Sequence, residues 1–189
     1  MKNKAQLIMN AIVIVSLILT VFCSLLYRSF HNEIFFSLAL TFGTVFYQFM
    51  MRLLVGLAVN KLFKKPLDYN HFWFEEKPFE KKIYKLLKVK KWKMIIPTYR
   101  PESFNIKVNS MQAIVQNMCI AELGHEIMMA ASYLSLFFSL LTNNWKIYIW
   151  IFIGMSSIAA CFDFLLVIQQ RFNRPRILAF MKRTENKSL

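Results

Sequence analysis

Glu122, His125 and Glu126 fall near the first third of a long apolar stretch, Met111 to Leu141, that reads as membrane-spanning. Positions i, i+3 and i+4 share one helical face, so the three side chains meet. An acid beside an imidazole is the commonest general acid/base pairing. Burying ionisable groups in hydrocarbon costs at least a few kcal/mol, so such residues face a bundle interior or a wet cavity and mark function. The plainer alternative is a satisfied polar knot between packed helices.

The elements that must position these groups are helices. Of 189 residues, 57% are hydrophobic, 16% aromatic and only 18% charged, which fits a small polytopic membrane protein better than a soluble domain. At ~20 residues per span there is room for several spans and little else. Lys2 and Lys4 precede an apolar run in the manner of a signal peptide. That run, Gln6 to Tyr27, is too long for an ordinary signal and lacks a small-residue cleavage site, so a retained first span is expected. Further spans are predicted from about Ile34 to Asn60, Met111 to Leu141 and Trp145 to Gln169, with Trp145, Tyr148 and Trp150 as interface anchors. The predicted fold is all-α integral membrane, a four-helix transmembrane bundle. Its parts are a first hairpin (1–63), a basic interfacial loop (64–110) and a second hairpin with a basic tail (111–189), together one compact unit.

Charge orients the chain. Thirteen Lys/Arg lie between Lys61 and Met118 and six from Arg171 onward, which predicts both termini and the central loop on the cytoplasmic side. The net charge of +14 is interleaved with apolar segments, so anionic lipid headgroups rather than nucleic acid are the expected partners. Cys23, Cys119 and Cys161 sit in apolar segments with neither metal nor disulfide spacing. Three scattered histidines make a poor metal set, and no phosphate-cradling glycine loop is present.

Within the loop, Phe79, Ile83, Leu86 and Leu87 recur opposite Lys81, Lys82, Lys85 and Lys88, with Pro78 suited to a first turn. This predicts an amphipathic interfacial helix. Lys91, Trp92 and Lys93 follow, an indole among cations suited to the headgroup layer, and Pro97 and Pro101 stop any continuing helix. Arg52 lies about eight residues inside the second span, roughly 12 Å deep. The run Gln170-Arg171-Phe172-Asn173-Arg174-Pro175-Arg176 predicts a fixed turn with donors aimed at carboxylate or phosphate.

Three ordered pieces now carry a resemblance: Lys90-Lys91-Trp92-Lys93 with Pro97, Ala121-Glu122-Leu123 with His125, and Gln170 to Arg176. From about Trp73 to Arg183 the chain resembles the glycosyl-4,4'-diaponeurosporenoate acyltransferase family. The resemblance implies a multi-pass bacterial plasma-membrane enzyme moving a fatty acyl chain onto a sugar hydroxyl of a glycosylated membrane lipid, or onto a polyprenyl carrier. Phe172 stands where the pattern tends to show Tyr, and Glu126 where an aromatic residue is usual.

Acyl transfer needs a base for the hydroxyl and donors for the oxyanion. The expected base is His125, oriented by Glu122. Arg52, Lys91, Trp92, Lys93, Arg171, Asn173, Arg174 and Arg176 are the expected substrate-binding groups. Ser132 and Ser135 lie further along the span, so direct transfer is favoured over an acyl-enzyme. No cofactor is expected beyond an acyl donor such as acyl-CoA or acyl carrier protein. A non-catalytic membrane subunit and a lipid-binding or lipid-transport protein stay open as alternatives.

Overall fold

Ser16, Thr20 and Ser24 fall four residues apart in the first apolar run. Their hydroxyls donate to the carbonyls of Ile12, Ser16 and Thr20 at 2.6–2.7 Å, so the polar atoms of this helix are satisfied along its own backbone, as a lipid environment requires. The computed structural model describes residues 4–63, 67–93, 95–96 and 101–186. Among these there is no strand. The helices are α1 (Lys4–Phe30), α2 (Glu33–Leu62), α3 (Glu80–Leu86), α4 (Val89–Trp92), α5 (Met111–Ser132) and α6 (Trp145–Glu185). Four segments are long and apolar enough to cross a membrane: α1, α2, Met111–Leu141, and α6 from Trp145 to Thr184. The large apolar side chains that α1 leaves exposed, among them Ile8, Ile14 and Ile18, have lipid as their solvent. The chain is an all-α integral membrane protein.

Local chemistry ends each span. His31 takes the left-handed conformation at φ 50° and its N–H donates to the Tyr27 carbonyl, the usual way to close a helix. Asn32 then caps α2, accepting from Ile34 N through Oδ1 at 2.9 Å. After Ser132 the third span tightens into a 3-10 helix, Tyr133–Leu141, far longer than such runs usually are. Ser135, Ser139 and Thr142 explain it: each hydroxyl donates to the carbonyl three residues back, which suits three residues per turn. Ser132 back-bonds to Met128. Both candidate nucleophiles are thereby occupied.

The chain divides into two compact units, one of residues 1–55 and 128–161, the other of 56–127 and 162–189. The division cuts through α2, α5 and α6 rather than between the hairpins. In the first unit, Gln48 donates from Nε2 to the Ser132 carbonyl and to Ser135 Oγ, and Tyr47 donates to the Ala131 carbonyl at 2.6 Å. In the second, Gln116 holds the main chain of Leu67 (N–H to Oε1, 2.7 Å) and Asn117 holds the Ser103 carbonyl.

The basic loop carries its predicted helix. α3 buries Glu80 and Tyr84, holds Ile83 and Leu87 half-buried, and leaves Phe79 and Leu86 exposed, the apolar exposure that an interfacial helix offers to lipid. At its end Lys88, left-handed at φ 51°, starts α4, and Val89 joins a cluster with Tyr84, Ile168 and Phe172. Pro101 opens a 3-10 turn, Pro101–Phe104; Lys2 and Pro97 lie outside the described residues.

The predicted turn at Gln170–Arg176 is replaced by helix. α6 continues through Pro175 to Glu185. Pro175 deprives the Arg171 carbonyl of its helical donor, and the ion pairs of the two neighbouring arginines, described below, keep the backbone in place. Pro175→Ala is accordingly expected to stabilise the protein by on the order of 1–3 kcal/mol. Thermal unfolding in detergent measures this; an unchanged or lower midpoint would mean that the proline sets a bend its neighbours need.

Candidate functional site

Asp163, Val167, Arg171 and Arg174 are spaced four, four and three residues apart on α6, hence on one face. Glu122 and His125 share a face of α5 in the same way. All belong to the second unit, and the structure sorts them into two polar groups.

The first centres on Glu122, whose side chain has no solvent exposure. Arg171 Nη1 donates to its Oε1 at 2.6 Å, and Arg174 Nη1 to its Oε2. Arg171 also grips Glu80 Oε1 through Nε at 2.9 Å and Nη2 at 2.8 Å. Its remaining donors reach the carbonyls of Trp73 and Glu75, and Arg174 Nη2 reaches that of Phe74. Tyr84 donates to Glu80 Oε2 at 2.6 Å; burial first, then this bond, push the phenol well above its ordinary pKa, so it stays a donor. Two carboxylates and two guanidiniums thus balance, and the segment 73–75 is tied to α6 by its own carbonyls.

The second group is His125 with Asp163. In the tautomer this pairing selects, His125 Nδ1–H donates to Asp163 Oδ1 at 3.1 Å. The Asp163 side chain is 1% exposed and that of His125 22%, so the carboxylate is withdrawn while the ring is reachable. Nε2 keeps its lone pair, as a base requires. The carboxylate against the His125 ring is thus that of Asp163, while both oxygens of Glu122, the acid expected beside it, accept from arginines. Glu126 turns elsewhere and accepts from the Trp73 indole at 3.1 Å.

The other expected binding residues divide as well. Lys93 Nζ donates to Asn173 Oδ1 at 2.7 Å and lies 5.0 Å from the Phe172 ring, over which Arg176 stacks at 3.4 Å. Trp92 is half-buried, its indole donating to the Leu87 carbonyl, so it packs rather than facing headgroups. Lys91 is exposed. Arg52 belongs to the first unit, where it donates to Gln48 at two oxygens, to Ser132 Oγ and to the Ala159 carbonyl. Arg171 and Arg174, expected to hold substrate, are committed to Glu122 and Glu80.

Sequence reasoning left Glu80 out of the site and Asp163 unassigned. The four-residue spacing from Asp163 to Val167 to Arg171 was the available signal. An apolar groove of about 380 Å³ adjoins the first of these groups, walled by Phe72, Phe79, Ile83, Phe164 and Ile168, with Glu80, Glu126 and Arg171 on its lining. Among the described residues no three His, Cys, Asp or Glu side chains are grouped to hold a metal ion.

The family model for glycosyl-4,4'-diaponeurosporenoate acyltransferase matches residues 70–183, which takes in both polar groups and the groove. No curated protein and no solved structure matches the chain.

Proposed function

The chain belongs to that acyltransferase family, and from this membership we propose that it moves a fatty acyl chain onto a hydroxyl of a glycosylated or polyprenyl lipid in the bacterial cell membrane, with His125 as the base. The observation that carries the assignment is the His125–Asp163 pair: a buried carboxylate on Nδ1 and a reachable ring. Asp163 fixes the tautomer and stabilises the imidazolium that forms when Nε2 takes the acceptor's proton. The hydroxyl oxygen attacks the acyl carbonyl, the bond to the donor breaks, and the proton leaves on the departing group. No covalent enzyme intermediate is needed.

The groove of about 380 Å³ falls within the range of small-molecule binding pockets, and its apolar walls suit part of an acyl chain. Membrane lipids supply the acceptor, and acyl-CoA or acyl carrier protein supplies the chain. Both termini and the basic loop face the cytoplasm, as the lysine and arginine distribution favours. Comparative lipid mass spectrometry of cells with and without the protein tests the proposal. A lipid heavier by one acyl chain, present only with the protein, is the expected result. An unchanged lipidome with the protein abundant would overturn it in favour of a binding or assembly role.

A further inference from the structure

Arg171 and Arg174 spend their charge on Glu122 and Glu80, but two cations close by on the fold do not. Among the described residues, neither Lys93 nor Arg176 forms an ion pair. Both nevertheless gather on one aromatic ring, that of Phe172, at 5.0 and 3.4 Å. The ring attracts each cation, but no anion among the described residues offsets their mutual repulsion. Burial, Arg176 and Lys90 together hold the Lys93 ammonium below the ordinary lysine pKa, as expected of a cation lacking its counter-charge.

The donors left over have a usable geometry. A guanidinium stacked flat on a ring keeps its in-plane N–H groups free for a two-pronged contact. Lys93 gives one of its three N–H bonds to Asn173 Oδ1, and that bond leaves the Asn173 amide N–H groups pointing onward as donors. Beside Arg176 opens a second cavity of about 170 Å³, lined otherwise by Ile106, Met111, Ile114, Ile177 and Phe180. A cation on the lining of an apolar slot, with a second cation sharing its aromatic ring, fits an amphiphile with an anionic head.

We infer that Lys93, Asn173 and Arg176 form a binding site for the phosphate of a lipid whose first apolar carbons enter the slot beside Arg176. The site rests on the acyl-transfer reading only in supplying a reason to hold such a lipid, and its binding is measurable without turnover. Phosphate is held by charge-assisted bonds from Arg176 and Lys93 and a neutral one from Asn173.

The test uses the full chain purified in dodecyl maltoside, an uncharged and phosphate-free detergent, titrated calorimetrically with short-chain phosphatidic acid and separately with inorganic pyrophosphate. Arg176→Gln is expected to weaken phosphatidic acid at least tenfold, while Lys182→Gln, another exposed cation on α6, leaves affinity unchanged. Lys93→Gln provides a second, independent loss. Equal weakening by all three, or binding that survives both site variants, would overturn the site and leave only diffuse surface charge. Pyrophosphate binding as tight as the lipid's would overturn occupancy of the slot. The same titration on His125→Ala protein should give unaltered affinity: binding there without any transfer by the intact protein counts against the acyl-transfer reading alone, and transfer without Arg176-dependent binding counts against the site alone.

Discussion

Glu122→Ala is expected to be the most destabilising single substitution in the second unit, by about 3–5 kcal/mol, the usual result of removing one partner from a buried ion pair. The variant leaves Arg174, only 1% exposed, without its carboxylate and takes from Arg171 one of its two, Glu80 remaining, so the donors that hold the carbonyls of 73–75 lose part of their anchorage. Glu122→Gln keeps the shape and should recover a minor part, since an amide accepts through one oxygen where the carboxylate accepts through two. Protein yield and thermal midpoint in detergent are the readouts. An alanine variant that accumulates and melts normally, yet loses transfer, would mean that Glu122 acts on substrate and not in assembly.

His125→Ala should behave differently. With the ring 22% exposed, accumulation and melting should fall less than in Glu122→Ala, the cost being the partner that buried Asp163 loses, while transfer falls by roughly 10²–10⁴, the usual contribution of a positioned base. Asp163→Asn should lower kcat with little change in KM, because the amide no longer fixes the tautomer that leaves Nε2 free. Asp163→Glu, which keeps the charge, should restore part of it. A purely structural Asp163 would instead lower yield in both variants alike and leave the turnover of the surviving protein intact. The expected outcomes of the two experiments separate the carboxylates, with Glu122 acting in the fold and Asp163 in the proposed reaction.

Much of this was legible in the residues and some was not. The four spans followed from hydropathy alone, because a continuous apolar run of that length can satisfy its backbone in lipid within itself only as a helix. The three-residue spacing of Glu122 and His125 correctly set them on one face. What it could not tell is which acid serves the imidazole, since that depends on α6, whose Asp163 and Arg174 are decades of positions away in the chain. Proline misled at 175: its local cost predicts a break, and the tertiary pairs of Arg171 and Arg174 override it. The helix of the basic loop was legible from its stripe, but its inner face was not: Glu80 and Tyr84 are buried through partners on α6 that no short window contains.

At 1.5 Å per residue, the 41 residues of α6 extend about 62 Å, roughly twice the hydrocarbon thickness of a bilayer. The excess length is taken up by tilting or by standing clear of the acyl chains, and the polar run from Gln169 onward is the part that cannot be submerged without cost. Hydrophobic mismatch then becomes a variable of this protein: a thicker membrane draws Asp163 and the arginines toward hydrocarbon, and a thinner one lifts them into water. The lipids among which the chain sits thus set the depth at which its polar groups work.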